Sequence, residues 1–301
     1  TMHTAHRSRG TTALLPTLIS DTREVREKAL AAVIEARAWG CAGILGIHFE
    51  GPWFSWARRG AHNEDMLDTP SETDMDWLCS SRDFPVMVTL APEQVAPEFI
   101  ARLAAAGVHV CAGHTDADYE TIAAAADNGL QGVTHLYNAM SQLASRQPGA
   151  VGAALAQDTL WAGIIADGHH VHPASIRLAA KAKPPGKLVL VSDAMATVGG
   201  VGSFDIYGEN IREQDGRLVN AEGVLAGSAI GLVDAVRYCH CEVGLDLEEC
   251  LRMASLYPAG AIGMEASLGR LRDGHRADIV HLDEQLQVRH TWVAGSIAAH
   301  A

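Results

Sequence analysis

The sequence predicts an α/β protein built as a TIM-like (β/α)8 barrel. Short apolar runs alternate with stretches of helical character over the first two-thirds of the chain. The runs are nearly continuous in apolar residues, which is typical of parallel strands covered by helices on both faces. Several runs end in Glu, His or Asp, and the strand ends of such a barrel converge at the mouth where catalytic groups lie.

Seven strand-like runs follow one another along the chain. They lie at 11–19, 43–50, 85–92, 108–115, 132–138, 161–170 and 187–194. Helical stretches separate them, for example TREVREKALAAVIEARAWG after the first run and ADYETIAAAADNG after the fourth. A closed barrel of this class has eight strands, so we expect the first barrel strand to lie upstream of residue 1.

The rest of the chain has a different organisation. Residues 199–224 are rich in Gly and contain short strand-like pieces, which predicts a hairpin insertion at about 199–224. Two helical stretches follow, and the tail has a strand–turn–strand pattern. We therefore predict a hydrolase barrel over residues 1–265 and the remainder of a small β-sandwich domain over 266–301.

Composition narrows the class of protein. The formal net charge of −13 argues against nucleic acid as a partner, although local Arg and His can still favour an anionic small molecule in a pocket. The apolar runs are too short and too interrupted for a transmembrane helix, and the first residues do not resemble a signal peptide. Six scattered cysteines without CxxC spacing predict reduced thiols, and hence a cytoplasmic protein.

Three strand-end residues predict a metal site. Glu50 follows GILGIHF, His114 follows VHVCAG and His135 follows GVT. A single strand-end His is usually structural, but two imidazoles and a carboxylate at successive strand ends form a typical hydrolytic metal site. Their wide spacing excludes a helix-borne HExxH motif. Zinc is the preferred ion, and iron, cobalt and manganese suit the same ligands.

Two further residues are candidates for proton transfer and carbonyl polarisation. Asp193 follows the run KLVLVS, where it would serve as a general base toward water or, alternatively, as the N-cap of a following helix. His62 lies in the loop RRGAHNED, where it would either be solvated or donate to the oxygen of a substrate carbonyl.

Polar groups near these positions predict an anion site. Asn138 and Ala139 follow His135 closely and should face the same pocket. The cationic candidates for binding a phosphate are Arg146, His169, His170 and His172.

Seven motifs, taken together, resemble one family. HFEGPW, RGAHN, AGHT, THLYNAM, IIADGHHVH, VSDAM and LAGS occur in the order found in the N-acetylglucosamine-6-phosphate deacetylase family of the amidohydrolase superfamily. The match runs from about residue 10 to the C-terminus. The resemblance implies a metal-dependent TIM barrel with a small β-sandwich formed by both chain ends. It also implies hydrolysis of N-acetyl-D-glucosamine 6-phosphate to glucosamine 6-phosphate and acetate, in amino-sugar catabolism.

The resemblance also implies roles for individual residues. Glu50, His114 and His135 would hold the catalytic metal, Asp193 would be the acid/base, and His62 would polarise the acetamide carbonyl. The residues implied to contact the sugar phosphate are His62, Asn138, Ala139, Arg146, His170, Leu225, Ala226 and Gly227. The family implies one or two divalent metal ions per subunit. It further implies a homodimer in which the neighbouring subunit helps to complete the phosphate site.

Two other functions stay open at this point. One is deacetylation of a related amino-sugar phosphate such as N-acetylgalactosamine 6-phosphate, because the motifs do not distinguish the C4 epimers. The other is a catalytically inactive remnant that binds a sugar phosphate.

Overall fold

A parallel sheet organises the chain in a computed structural model, which describes residues 2–80 and 82–297. Within these ranges, seven strands form one sheet whose order follows the chain from β1 to β7. The strands are Thr17–Leu18 (β1), Ile47–Glu50 (β2), Val86–Leu90 (β3), His109–Ala112 (β4), Gly132–Val133 (β5), Trp161–Ile165 (β6) and Leu188–Val191 (β7). Every pair from β1–β2 to β5–β6 is parallel. Each predicted run therefore contains one strand.

Helices alternate with these strands, and short polar side chains determine where several begin. The α-helices are Met2–Ser8 (α1), Arg23–Ala38 (α2), Glu72–Leu78 (α3), Pro97–Ala105 (α4), Tyr119–Asp127 (α5), Gly149–Ala156 (α6), Pro173–Ala182 (α7), Leu232–Tyr238 (α8), Leu247–Ala254 (α9) and Leu256–Ala261 (α10). The side chains of Thr22 and Asp118 accept backbone N–H groups at the starts of α2 and α5. Such caps pair donors that have no partner within the helix.

One compact unit spans Leu15–Gly163 and contains β1 to β5 with the start of β6. Every residue of β2 and β3 is buried, as expected for strands covered on both faces. The register pairs Thr17 with His48, and Glu50 with Thr89. Residues two apart on a strand face the same side, so His48 and Glu50 share one face of β2.

The other compact unit combines residues 2–14 with residues 164–297 of the described chain. It contains two antiparallel three-stranded sheets, formed by Ser203–Ile206 (β8), Glu209–Gln214 (β9), Arg217–Val219 (β10), and by Ile279–Leu282 (β11), Val288–Val293 (β12), Ser296–Ile297 (β13). The first sheet lies within the predicted hairpin insertion and the second within the predicted segment 266–301. Residues 298–301 of that segment lie outside the described residues, and the domain limits stay a prediction.

Two expectations from composition can be compared with the structure. No helix in the described ranges has both the length and the apolar character needed to cross a membrane. All six cysteines are free thiols, as their spacing predicted.

Candidate active site

The structure brings together the three residues predicted to bind a metal. Glu50 is the last residue of β2, and His114 and His135 each follow their strand by two residues. His135 Nε2 lies 3.0 Å from Glu50 Oε1 and 3.1 Å from His114 Nε2, and His114 Nε2 lies 3.4 Å from the same carboxylate oxygen. Each of the three residues therefore offers one ligand atom, and these three atoms lie within 4.8 Å of one another.

A hydrogen bond on the outer side of His114 determines which of its nitrogens faces this group. His114 Nδ1 lies 3.0 Å from the carbonyl oxygen of Arg58. A carbonyl oxygen only accepts, so Nδ1 carries a proton, and Nε2 is the nitrogen that faces Glu50 and His135 and can offer its lone pair to a metal. This is the tautomer that a metal-binding imidazole requires.

The charge of Glu50 completes the donor set. Burial by itself would raise the pKa of Glu50, but hydrogen bonds with His114 and His135 outweigh burial and hold that pKa well below its usual value. The carboxylate is therefore ionised at neutral pH. An ionised oxygen and imidazole nitrogens, all nearly buried, make a site that fits a divalent cation.

Two further imidazoles beside this group are buried and neutral. Burial lowers the pKa of His62 to about 3 and that of His48 to about 4. The backbone N–H of Ser20 donates to His62 Nδ1 at 3.2 Å, so the proton of the neutral ring is on Nε2. His62 is 7% exposed, which excludes the solvated-loop alternative. Its Nε2–H is available as a donor, as the predicted carbonyl-polarising role requires.

Phe54 packs against two of these rings. Its ring stacks on His114 at a centroid distance of 4.3 Å and meets His62 edge-on at 4.9 Å. Gly51 makes this arrangement feasible, because a Cβ at this residue would lie 2.2 Å from Ser20 Oγ and 2.9 Å from Phe54 Cε2. The motif HFEGPW therefore supplies a ligand and also the space in which His62 is held.

Asp193 lies where two motifs pair through their backbones. Its carbonyl oxygen accepts from Ser228 N at 2.8 Å, and Met195 N donates to the Ser228 carbonyl oxygen at 3.0 Å. This pairing brings LAGS, which contains Leu225, Ala226 and Gly227, next to VSDAM. The next helix after Asp193 in the described chain begins at Leu232, so the N-cap alternative for Asp193 is wrong.

The backbone conformation at three candidate residues is unusual. His114, His135 and Asp193 have φ of 49°, 34° and 49°. Positive φ is uncommon outside Gly, and such residues cluster at functional sites where the surrounding structure holds them in place. A positive φ breaks the regular up-and-down alternation of side chains along a strand. The direction of each of these three polar side chains is therefore determined by the turn that follows its strand.

The three residues after His135 that were predicted to bind substrate, Asn138, Ala139 and Arg146, differ in burial and in hydrogen bonding. Asn138 N donates to the His135 carbonyl oxygen at 3.0 Å, and the Ala139 carbonyl oxygen accepts from Thr115 N at 3.1 Å. Both residues are half-buried in the turn that carries the ligand His135. Arg146 is exposed on the following loop and forms no hydrogen bond or ion pair with the residues that the structure describes.

Comparison with known proteins determines the family. Residues 1–298 match the amidohydrolase family. The chain belongs to the amidohydrolase family. An N-acetylgalactosamine-6-phosphate deacetylase from a Shewanella species (strain ANA-3) is 44% identical over 303 residues, covering 100% of this chain and 76% of the relative.

Two solved structures are similar over almost the whole chain. An N-acetylglucosamine-6-phosphate deacetylase from Pasteurella multocida has a TM-score of 0.95 at 35% identity, covering 99% of this chain and 79% of the other. A mutant N-acetyl-D-glucosamine-6-phosphate deacetylase from Mycobacterium smegmatis, in complex with N-acetyl-D-glucosamine-6-phosphate, has a TM-score of 0.89 at 33% identity, covering 98% and 78%. The predicted fold class, an α/β TIM-like barrel, is confirmed.

In this amidohydrolase, His170 has a partner that sequence reasoning missed. Its Nδ1 lies 2.6 Å from Asp167 Oδ2, and the two side chains are 6% and 3% exposed. Burial would raise the pKa of Asp167, but the His170 contact and backbone N–H groups lower it overall. Of the other cationic candidates, His169 is exposed, and His172 caps α7 by accepting from Ala174 N.

Sequence reasoning also missed the residues that orient the amidohydrolase site from outside. Ser20, Phe54 and Arg58 carry no chemistry that would single them out, and Arg58 orients His114 through its backbone carbonyl. One signal was available in the sequence for two of them: Phe54 directly follows HFEGPW and Arg58 directly precedes RGAHN, and both motifs contain a candidate residue.

Proposed function

We propose that this amidohydrolase is a metal-dependent deacetylase that hydrolyses N-acetyl-D-glucosamine 6-phosphate to glucosamine 6-phosphate and acetate. The observation that carries the proposal is the convergence of Glu50, His114 and His135, with His62 beside them at a centroid distance of 4.5 Å from the His114 ring. The two structural relatives that carry this activity in their names support the choice of substrate.

The proposed metal ligands are Glu50, His114 and His135. A divalent cation bound there would polarise the acetamide carbonyl and lower the pKa of water. Zinc is our first choice, with iron, cobalt and manganese as alternatives, because the ligand set does not discriminate strongly among them. These three ligands account for one ion per subunit, and a second would need further ligands.

The chain's own residues would carry the protons. His62 donates its Nε2–H to the acetamide oxygen as negative charge develops there. Asp193 accepts a proton from the attacking water and passes it to the leaving nitrogen when the C–N bond breaks. The products are the free amine and acetic acid, and the acid then gives its proton to the amine, which yields acetate and the ammonium form of glucosamine 6-phosphate at neutral pH.

The remaining proposed residues hold the sugar phosphate. Arg146 supplies positive charge to the phosphate and His170 a hydrogen bond, Asn138 and Ala139 contact the same group, and the LAGS segment Leu225–Gly227 covers the ligand. Asp167 supports this role for His170, because its Oδ2 lies 2.6 Å from Nδ1 and fixes the orientation of the ring. We extend the proposal to a cytoplasmic homodimer with a barrel domain at 1–265 and a sandwich segment from residue 266.

N-acetylgalactosamine 6-phosphate is the second candidate substrate. It is favoured by the 44% identity to the Shewanella deacetylase of that sugar. Both sugars present the same acetamide and phosphate groups and differ only at C4.

Acetate release from metal-reconstituted protein tests the proposal. The substrates are both sugar phosphates and both unphosphorylated sugars, each with and without a chelator. We expect chelator-sensitive release from the phosphorylated sugars alone, with the higher kcat/KM for the glucosamine form. A higher kcat/KM for the galactosamine form would move the assignment to the second candidate. Tight binding of both sugar phosphates without turnover would identify an inactive binding protein.

A further inference from the structure

A chain of hydrogen bonds runs across four strand regions next to the metal ligands. Thr17 Oγ1 lies 3.1 Å from His48 Nδ1, His48 Nε2 lies 2.7 Å from Thr89 Oγ1, and Thr89 Oγ1 lies 2.7 Å from Thr134 Oγ1. We call these four residues the Thr–His chain. They lie on β1, β2, β3 and directly after β5.

The Thr–His chain neighbours two of the three ligands. His48 shares the face of β2 with Glu50, and Thr89 is the register partner of Glu50 on β3. Thr134 directly precedes His135. His48 and Thr89 are 8% and 0% exposed, so both side chains are shielded from bulk solvent.

The hydrogen bonds of the Thr–His chain have one direction. The hydroxyl of Thr17 donates to the Leu15 carbonyl oxygen at 3.3 Å, so it accepts from His48 Nδ1–H. Nε2 of the neutral ring then accepts from Thr89, and Thr89, having used its proton, accepts from Thr134. The Nε2 lone pair of His48 is therefore engaged by the Thr89 hydroxyl. It is not free to bind a metal, even though His48 lies only two residues before the ligand Glu50.

Gly113 provides the space in which two of these residues meet. A Cβ at Gly113 would lie 2.6 Å from Thr89 Cγ2, 3.4 Å from Thr134 Cβ and 3.8 Å from His135 Cε1. A larger residue would therefore push Thr89 away from Thr134. The Gly before His114 in the motif AGHT is explained by this approach across β4.

We propose that Thr89 and His48 are positioning residues for the metal site. The Thr–His chain ties β1, β2 and β3 to the residue before His135, which fixes Glu50 and His135 at the spacing that a divalent cation needs. It also engages the His48 lone pair, which keeps a third buried imidazole from competing as a ligand. This inference rests on the metal site of the proposed function and goes beyond it.

Metal binding, measured without substrate, tests the proposal. Thr89→Val keeps the branched shape and removes the hydroxyl, whereas Thr89→Ser keeps the hydroxyl and serves as the matched control. The readouts are the dissociation constants of the apo proteins for Zn²⁺ and Co²⁺ against a competing chelator, and the visible spectrum of the Co²⁺ form. We expect Thr89→Val to weaken binding by about 10- to 100-fold and to change the spectrum, with Thr89→Ser within about threefold of wild type.

A lower Tm for Thr89→Val, with wild-type metal affinity and an unchanged Co²⁺ spectrum, would overturn the proposal, because the hydroxyl would then serve folding alone. If Thr89→Val does not fold, the variants Thr134→Val and Thr134→Ser provide the same test at the other end of the Thr–His chain, where Thr134 is half-buried. Wild-type protein that binds metal but releases no acetate would contradict the proposed function and leave this inference standing. Wild-type protein that binds no metal would overturn both.

Discussion

The two imidazoles His114 and His62 hold their protons on opposite nitrogens. The Arg58 carbonyl oxygen accepts from Nδ1 of His114, whereas the Ser20 amide donates to Nδ1 of His62. His114 can therefore offer a lone pair from Nε2 to a metal, whereas His62 presents an N–H from Nε2. The backbone group behind each ring suits His114 to a metal and His62 to a developing oxyanion.

Glu50→Gln should abolish stoichiometric metal binding. The substitution keeps the size of the side chain but removes the only charged ligand of the predicted group, which two imidazoles cannot replace. Metal content after dialysis is the measurement, with Glu120→Gln, an exposed residue of α5, as the control. Wild-type metal content in Glu50→Gln would contradict the ligand assignment.

The Asp193→Asn variant should lose turnover but still bind the metal and the sugar phosphate. Asn tolerates the left-handed conformation found at this residue, so the backbone pairing with Ser228 should persist. General acid–base catalysis contributes about 10²- to 10⁴-fold, and we expect kcat to fall by that amount. Steady-state kinetics and metal content measure the two effects. Near wild-type kcat would show that the base is another group.

Among the elements, α2 and α3 are joined through one buried carboxylate. Asp74 Oδ1 lies 3.1 Å from Arg23 Nη1 and 3.2 Å from Arg26 Nη2, and Asp74 Oδ2 accepts from both the amide and the hydroxyl of Ser71. Burial would raise the pKa of Asp74, but the Ser71 hydrogen bonds and Arg26 lower it overall. Asp74 therefore completes the capping box of α3, whose N-cap is Ser71, and pairs with the nearly buried guanidinium of Arg26.

Asp74→Asn should lower the free energy of unfolding by about 3 kcal/mol at neutral pH, because it leaves the Arg26 charge buried without its partner. The folded-state pKa lies below the unfolded one, so the carboxylate stabilises the fold above the unfolded pKa. That contribution is lost as pH falls through the folded pKa. The difference between the two proteins should therefore shrink below about pH 4.

Denaturant unfolding at several pH values measures this difference. Asp76→Asn on the same helix is the control, because its exposed carboxylate lies 3.7 Å from Arg102 and should contribute less than about 1 kcal/mol. Equal effects of the two substitutions would show that burial of the Asp74 pair is unimportant.

The whole molecule should be stabilised by its metal. A ligand that binds only the folded state stabilises it by about 2.7 kcal/mol at a hundredfold excess over its dissociation constant. We expect added Zn²⁺ to raise the Tm of the wild-type protein by several degrees, a chelator to reverse the gain, and Glu50→Gln to show no gain. Scanning calorimetry measures all three. A Zn²⁺-dependent rise in the Tm of Glu50→Gln would show that the stabilising ion binds at another site.

The two ends of the chain also meet at the scale of the whole molecule. Residues 2–14 belong to the same compact unit as residues 164–297. A Cβ at Gly10 would lie 2.9 Å from Val288 Cγ2, and the Arg7 guanidinium donates to the Ser296 carbonyl oxygen. The strands β12 and β13, which contain Val288 and Ser296, lie in the segment predicted as part of a sandwich. The prediction did not identify α1 as a neighbour of these strands.

The sequence by itself determined the order of strands and helices, the seven parallel runs, and the strand ends at which Glu50, His114, His135 and Asp193 lie. These features are local, because apolar runs and the residue that ends each run can be read without knowing what packs against them. Only the tertiary structure decided the partners that give those residues their chemistry. Ser20 meets His62 and Thr89 meets His48 across about 40 positions of the chain. Neither sequence spacing nor composition encodes such contacts, since they form only when parallel strands align in register and their end turns close over one another.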